Sequence, residues 1–399
     1  MKFFKKGELR LLWPFYLDSI ISPLLYFYPL FLIVYLKGLG FSLFQIGILA
    51  YSAPATMMLI SEIPTGAIAD KFGRKFSVIL SNVLAGIFFL MMFFTVNYYA
   101  LLILSALIGF ALTFHSGAYE AWAVDLINKE KKSYLQTFFV KTRVFDSSAL
   151  ILSGFIGAFL VSIFGIKIIF VVTSLSFFIA TGILIFQREN FQKRRGNVRG
   201  SFSELKKQAG QAVEYSYNHP VIFYFLIAMA FLLFATEMIE NIAAVPFLQG
   251  LGMPDYAFGY LWSGMAFMGV VAPLVIQRFY EKSNKRKIIG MVILLSAVTL
   301  LFILLAKALI LAVILLLLFA FFDFARKPVE RVYFHKFIPS KLRASIGSVE
   351  SMFLSIIGII AAPVGGFLVD TIGSQYTLFI AGIIILPAAI IFFRIKDKK

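Results

Sequence analysis

The 399-residue chain contains no cysteine. That excludes a disulfide framework, an iron–sulfur cluster and thiolate zinc sites. Histidine is nearly absent too. The three copies, His115, His219 and His335, are too scattered to suggest a His-rich metal centre, so no metal and no cofactor is expected. Charge is scarce at 14% of residues, against about 25% in an ordinary soluble domain. So few charges cannot keep in water a chain that is 60% hydrophobic and 17% aromatic. Dividing it into two or three soluble domains does not help, because soluble cores stop growing near ~250–300 residues. Disorder is excluded by the same hydrophobicity. Acidic residues are the scarcer charges, 20 against 37 Lys and Arg, a net charge of +17. An excess of that size invites a nucleic-acid reading, so the placement of the basic residues decides the class.

Long apolar runs are abundant. A membrane helix needs ~20 mostly apolar residues. Twelve such stretches occur, at roughly 11–36, 43–67, 76–96, 99–123, 135–164, 167–187, 219–248, 256–277, 287–306, 308–326, 342–369 and 374–393. They are called spans 1 to 12. The first is long, carries Pro14, Pro23 and Pro29, and lacks a small-residue cleavage site, so it does not read as a cleavable signal peptide. Of the 37 Lys and Arg, all but Lys37, Lys167 and Lys307 fall at the two termini or in and beside the connections on one side. The positive-inside rule demands such a split of twelve spans with both termini in the cytoplasm. The positive charge is therefore a topology signal spread over seven segments, and no nucleic-acid partner is expected. The expected class is an all-α protein of the cytoplasmic membrane, in contact with the lipid bilayer and monomeric.

One long connection, 188–218, divides the spans six and six. The expected organisation is an N-terminal half over 1–187, a cytoplasmic linker over 188–218 and a C-terminal half over 219–399. Residues 201–217 read as a helix with a Ser201–Glu204 capping box and a stripe of Leu205, Ala209, Ala212 and Val213. It lies along the membrane surface or serves as a solvated linker. The halves share an internal repeat at an offset of 208, with Gly157/Gly365, Phe159/Phe367, Leu160/Leu368, Val161/Val369 and Gly165/Gly373 identical at the ends of spans 5 and 11. Two related halves place a substrate site near the midplane, with rocking as the transport motion.

Between spans 2 and 3 stands Gly66-Ala-Ile-Ala-Asp70-Lys71-Phe-Gly73-Arg74-Lys75. This segment resembles the cytoplasmic signature of the major facilitator superfamily, G-x-x-x-D-(R/K)-x-G-R-(R/K), at all its key positions. Physically, Gly66 lets another helix approach and Gly73 permits a tight reversal. Asp70 at a helix C-terminus needs an outside partner. Arg74 offers a planar fork for a carboxylate. The resemblance implies a fold of two six-helix halves, Asp70 facing the start of span 11, and Arg74 paired with an acid at the end of span 4, here Asp125, as a conformational latch. Lys71 and Lys75 read as positive-inside charge.

Ionisable groups inside spans are costly and point to function. Glu62 and Glu120 lie near the cytoplasmic ends and suit a gate or latch. Glu237 and Glu240 lie deepest, in span 7, at the i, i+3 spacing of one helix face. Two carboxylates on a dry face favour holding a proton between them, so these two, with Asp18 third, are the expected proton-coupling residues. The plainer alternative is a packed pair satisfied by neighbouring donors. Arg143 and Asp146 in span 5 read as a local pair. His115 reads as a packing residue or a proton relay. Asp323 and Arg326 in span 10 read as partners that Glu350 of span 11 can join. Tyr26, Phe234 and Trp262 are candidate cavity walls.

No nucleophile–base or metal constellation is visible, so an enzyme is not expected, and no ATP-binding loop occurs, which argues against primary pumping. The resemblance implies a secondary transporter of a small molecule, expected to be proton-coupled and to export an amphipathic or hydrophobic compound. Drug–proton antiporters of the superfamily usually carry a Gly-Pro-x-x-Gly-Gly type motif in span 5. Here that span has Ser153, Gly154 and Gly157 without proline, and a partial echo, Pro363, Gly365 and Gly366, stands in span 11. Metabolite uptake by symport or uniport therefore remains an alternative, and a transport-inactive receptor or scaffold a remote one.

Overall fold

The computed structural model describes residues 4–189, 210, 213–280, 284–339 and 342–395. The expected linker helix at 201–217 lies mostly outside them. Among the described residues there is no strand. Eleven helical stretches among the described residues are long and apolar enough to cross a bilayer. Span 6, Ile168–Leu184, is apolar and 17 residues long, at the short end of what a bilayer requires.

Several spans are broken, and the sequence explains where. Span 1 runs as Glu8–Leu25 and Tyr28–Gly38, with Pro23 before the break and Pro29 after it. The backbone N–H groups of Phe27 and Tyr28, freed by the break, both donate to Thr173 Oγ1 at 3.2 Å. Span 4 runs as Tyr98–Thr113 and Ala118–Glu130, interrupted by a turn that ends on Gly117 at φ 70°. Span 2 comprises Leu43–Gly47, a π turn Ile48–Ser52, and Ala53–Phe72. Span 7 comprises Pro220–Met238, a π turn Ile239–Ala243, and Ala244–Gly250. A proline, Pro54 or Pro246, follows each π turn within three residues. Proline has no N–H to donate and its ring crowds the carbonyl four residues back, here Ala50 and Ile242, so the helix widens just ahead of it. The remaining spans are Arg74–Phe93, Leu135–Phe164, Ala257–Tyr280, Lys285–Leu301, Leu309–Lys336, Arg343–Ile372 and Ser374–Arg394.

Helix pairing repeats between the two sets of six. Span 3 packs on span 6 as span 9 packs on span 12, and span 1 on span 5 as span 7 on span 11. The offset of 208 reappears in the close contacts. A Cβ on Gly157 would come within 2.8 Å of Phe31 in span 1, and one on Gly365 within 2.9 Å of Met238 in span 7. Gly154 crosses Gly259 of span 8 backbone to backbone, and Ala362, its repeat mate, crosses Gly47 of span 2. Without a hydrophobic drive between helices in lipid, such small-residue crossings are what lets them pack.

By contacts the chain groups into two compact units. One takes Met1–Leu39, Ala53–Arg195 and Asp255–Ala266; the other takes Gly40–Ser52, Gly196–Pro254 and Phe267–Lys399. In the second unit Asp370, at the end of span 11, accepts the backbone N–H groups of Leu43 and Phe44 at 2.9 Å each, capping the start of span 2.

Candidate functional site

The first unit encloses a cavity of about 610 Å³ at the level of the breaks in spans 1 and 4. Its lining includes Asp18, Tyr26, Asn82, His115, Tyr119, Glu120, Phe138, Phe139, Asp146 and Phe177, and no lysine or arginine. The break in span 4 brings His115, Ser116 and Gly117 to the wall. Asp18 is buried, accepts the Ser22 hydroxyl at 2.7 Å, and lies beside Tyr119. The His115 and Tyr119 rings stack with centroids 4.8 Å apart. Asp146 is close enough to Asp18 for their charges to interact. Arg143 makes no direct ion pair with Asp146, its expected partner, among the described residues, although its charge, like that of Asp18, acts on Asp146. Arg143 points out and is exposed, whereas Asp146 turns to the cavity. Of the three candidate wall aromatics, Tyr26 lines this cavity and Phe234 and Trp262 do not.

The second unit gathers charge around spans 7 and 10. Glu237 accepts the side-chain amide of Asn241, one turn on. Glu240 lies inside the π turn. Its Oε1 is buried and has no hydrogen-bond partner among the described residues. It is close enough to Glu237, Asp323, Arg326 and Lys327 for their charges to act on it. Asp323 pairs with Arg326, as the sequence suggests, and its other oxygen pairs with Lys327 at 2.6 Å. The remaining arm of Arg326 reaches Glu330, at 2.7 and 2.9 Å. Glu350 does not join this group. It takes Arg331, at 2.7 and 2.9 Å. Glu330, not singled out from the sequence, stands at the i+4 position from Arg326.

At the loop between spans 2 and 3, Arg74 pairs with Asp125 and also donates to the Ala121 carbonyl at 2.6 Å. The backbone N–H groups of Arg74 and Lys75 donate to Glu189, at 2.5 and 3.0 Å, so a carboxylate closes the positive end of span 3. Gly73, at φ 107°, has a second reason to be glycine, since a Cβ there would come within 2.8 Å of that carboxylate. Gly66 is different. Open space surrounds the position of its Cβ, so no close helix approach depends on it here. Asp70 and Glu62 are exposed, and neither makes an ion pair among the described residues. Sequence reasoning also missed Glu8 and Lys141. They form a fully buried pair at 2.7 and 2.8 Å, with the Tyr16 hydroxyl donating to the same carboxylate at 2.6 Å. Lys141 had been counted as a loop charge.

A family model described as Major Facilitator Superfamily matches residues 18–346 and 241–399. The chain belongs to the major facilitator superfamily. Solved members of this fold align over nearly the whole chain. A nucleoside transporter, NupG, covers 96% of this chain and 99% of its own, with a TM-score of 0.78 at 17% identity. A peptide transporter solved with sulfate covers 96% and 93%, at 0.76 and 12%. A bacterial homolog of the human lysosomal transporter Spinster, inward-facing and occupied, covers 98% and 97%, at 0.74 and 14%. At such identities the likeness establishes the fold alone. No curated protein sequence matches the chain. The superfamily assignment gives the Arg74–Asp125 pair its context, since both residues occupy the positions at which the loop signature implies a partner.

Proposed function

We propose that this member of the superfamily is a proton-coupled exporter of small amphipathic compounds, positively charged ones in particular. The observation that carries the reading is the cavity in the first unit, where Asp18, Glu120 and Asp146 meet aromatic walls and no basic side chain. A half-open cavity with carboxylates and π faces favours an organic cation. The same carboxylates favour a proton. Proton and cation then compete for Asp18, and protonation removes the charge that holds the substrate. With protons more abundant outside, that competition turns proton entry into substrate exit.

The test is flux in proteoliposomes with an imposed pH gradient, using a panel of quaternary-ammonium dyes. Dye accumulation driven by an opposing proton gradient, lost in Asp18→Asn, supports exchange. Accumulation indifferent to the gradient argues against it. A second reading, uptake of a neutral metabolite by symport or uniport, draws support from the hydroxyl and amide groups of Ser19, Ser22, Asn82, Thr142 and Ser176 in the same wall. It requires flux of an uncharged polar solute and tolerance of Asp18→Asn.

A further inference from the structure

A second concavity, of about 490 Å³, opens in the first unit at the basic ends of spans 1, 4 and 6. It has no part in the transport cavity. Arg10, Lys131 and Arg188 line it, with Glu130 as the lone acid. All three basic side chains are exposed, and none makes an ion pair among the described residues. Lys131 extends over the Tyr134 ring, 5.1 Å from its centroid. The walls are pinned in place. Gln187 donates to the Leu11 carbonyl at 2.9 Å, Trp122 to the Arg188 carbonyl at 2.9 Å, and Tyr134 to the Lys6 carbonyl at 2.5 Å. The pocket therefore exists before any ligand arrives. One rim is aromatic, with Trp13 and Phe186 exposed and their ring centroids 6.3 Å apart.

We propose that this pocket binds the phosphate of an anionic phospholipid from the leaflet facing the basic ends of the spans. Three cations against one acid attract a phosphate, and a basic pocket between helices on the cytoplasmic side suits a lipid headgroup. The aromatic rim separates a lipid from a soluble phosphate. Trp belongs at the level of the headgroups, and beside this pocket Trp13 and Phe186 offer a lipid's glycerol and first methylenes an apolar bed. A soluble phosphate has no use for it.

Native mass spectrometry of the purified protein tests the assignment, with phosphatidylglycerol and phosphatidylcholine of equal chain length. The expected result is preferential retention of one phosphatidylglycerol. In Arg10→Gln/Lys131→Gln/Arg188→Gln that preference should fall by roughly tenfold or more, at about one basic group's contribution each. Trp13→Ala/Phe186→Ala, which keeps every charge, should weaken retention of both lipids severalfold. Lys285→Gln/Arg286→Gln/Lys287→Gln removes as many charges from the start of span 9 and should change nothing. The proposal is overturned if the first triple variant retains phosphatidylglycerol as the parent does. It is overturned equally if the 285–287 variant loses as much, or if soluble glycerol phosphate displaces the lipid at equal concentration while the aromatic variant binds normally.

Discussion

Two glutamates three residues apart in span 7 look equivalent on a helical wheel, yet the structure gives them different surroundings. Glu237 is held by Asn241. Glu240 stands in the π turn with one carboxylate oxygen buried and unpartnered among the described residues. π turns are frequent at functional sites, and an unpartnered buried carboxylate is costly while it remains charged. A group so placed is suited to exchanging a proton during the cycle, which favours Glu240 over Glu237 as the coupling member of the pair. Glu240→Gln is expected to abolish pH-gradient-driven accumulation in proteoliposomes while sparing substrate binding by calorimetry. Glu237→Gln should lower the rate without uncoupling it. Full gradient-driven transport in the Glu237→Gln/Glu240→Gln variant would leave coupling to the competition at Asp18 alone. A second residue-scale prediction concerns Arg74 and Asp125. Asp125 is more than half exposed, at 56%, and exposed pairs contribute only about 0–1 kcal/mol. Asp125→Asn should therefore leave thermal stability almost unchanged. Its effect should appear in the rate of exchange between inward- and outward-open states, read by substrate counterflow.

Elements were legible from the sequence wherever one physical rule governed them. Apolar run length located the spans, whereas the distortions in spans 1, 2 and 7 stand beside prolines at which no break was expected from the sequence. What the sequence did not disclose is which groups meet across spans, because partners such as Glu189 with the start of span 3, or Glu8 with Lys141, are separated by more than a hundred residues and follow no spacing. Glu189 and Glu8 therefore carry no signal of their own in the sequence, and Lys141 reads there only as one more basic residue near a connection. Asp370 belongs to the same class. Its side chain accepts two backbone N–H groups at the start of span 2, adding to the capping box that Ser42 and Gln45 make there. Loss of an N-cap costs about 0.5–2 kcal/mol, and loss of this supplementary acceptor falls at the low end of that range. Asp370→Ala is thus expected to lower the thermal midpoint modestly, and Asp370→Asn, which keeps one acceptor, by less. Equal midpoints for the parent and Asp370→Ala would mean that water caps the helix as well as the carboxylate does.

At the scale of the whole molecule, composition and charge distribution carried the argument furthest. The internal repeat in spans 5 and 11 is a modest sequence match, and its weight comes from the packing. Gly157 and Gly365 each meet span 1 or its counterpart span 7, while Gly154 and Ala362 each cross span 8 or span 2. Orientation rests on a different basis. Thirty-four of the 37 Lys and Arg lie on one side of the spans, leaving Lys37, Lys167 and Lys307 on the other. Insertion follows the basic residues near span ends rather than net charge, so on this asymmetry the basic side is expected to be cytoplasmic. The absence of cysteine makes the test clean, since any introduced thiol is the only one present. Lys167, Lys307, Lys285 and Lys336 are all exposed. Lys167→Cys and Lys307→Cys should react with a membrane-impermeant maleimide added to intact cells. Lys285→Cys and Lys336→Cys should react only after the membrane is opened. Reversal of that pattern would invert the molecule, and with it the direction in which a proton gradient could drive its substrate.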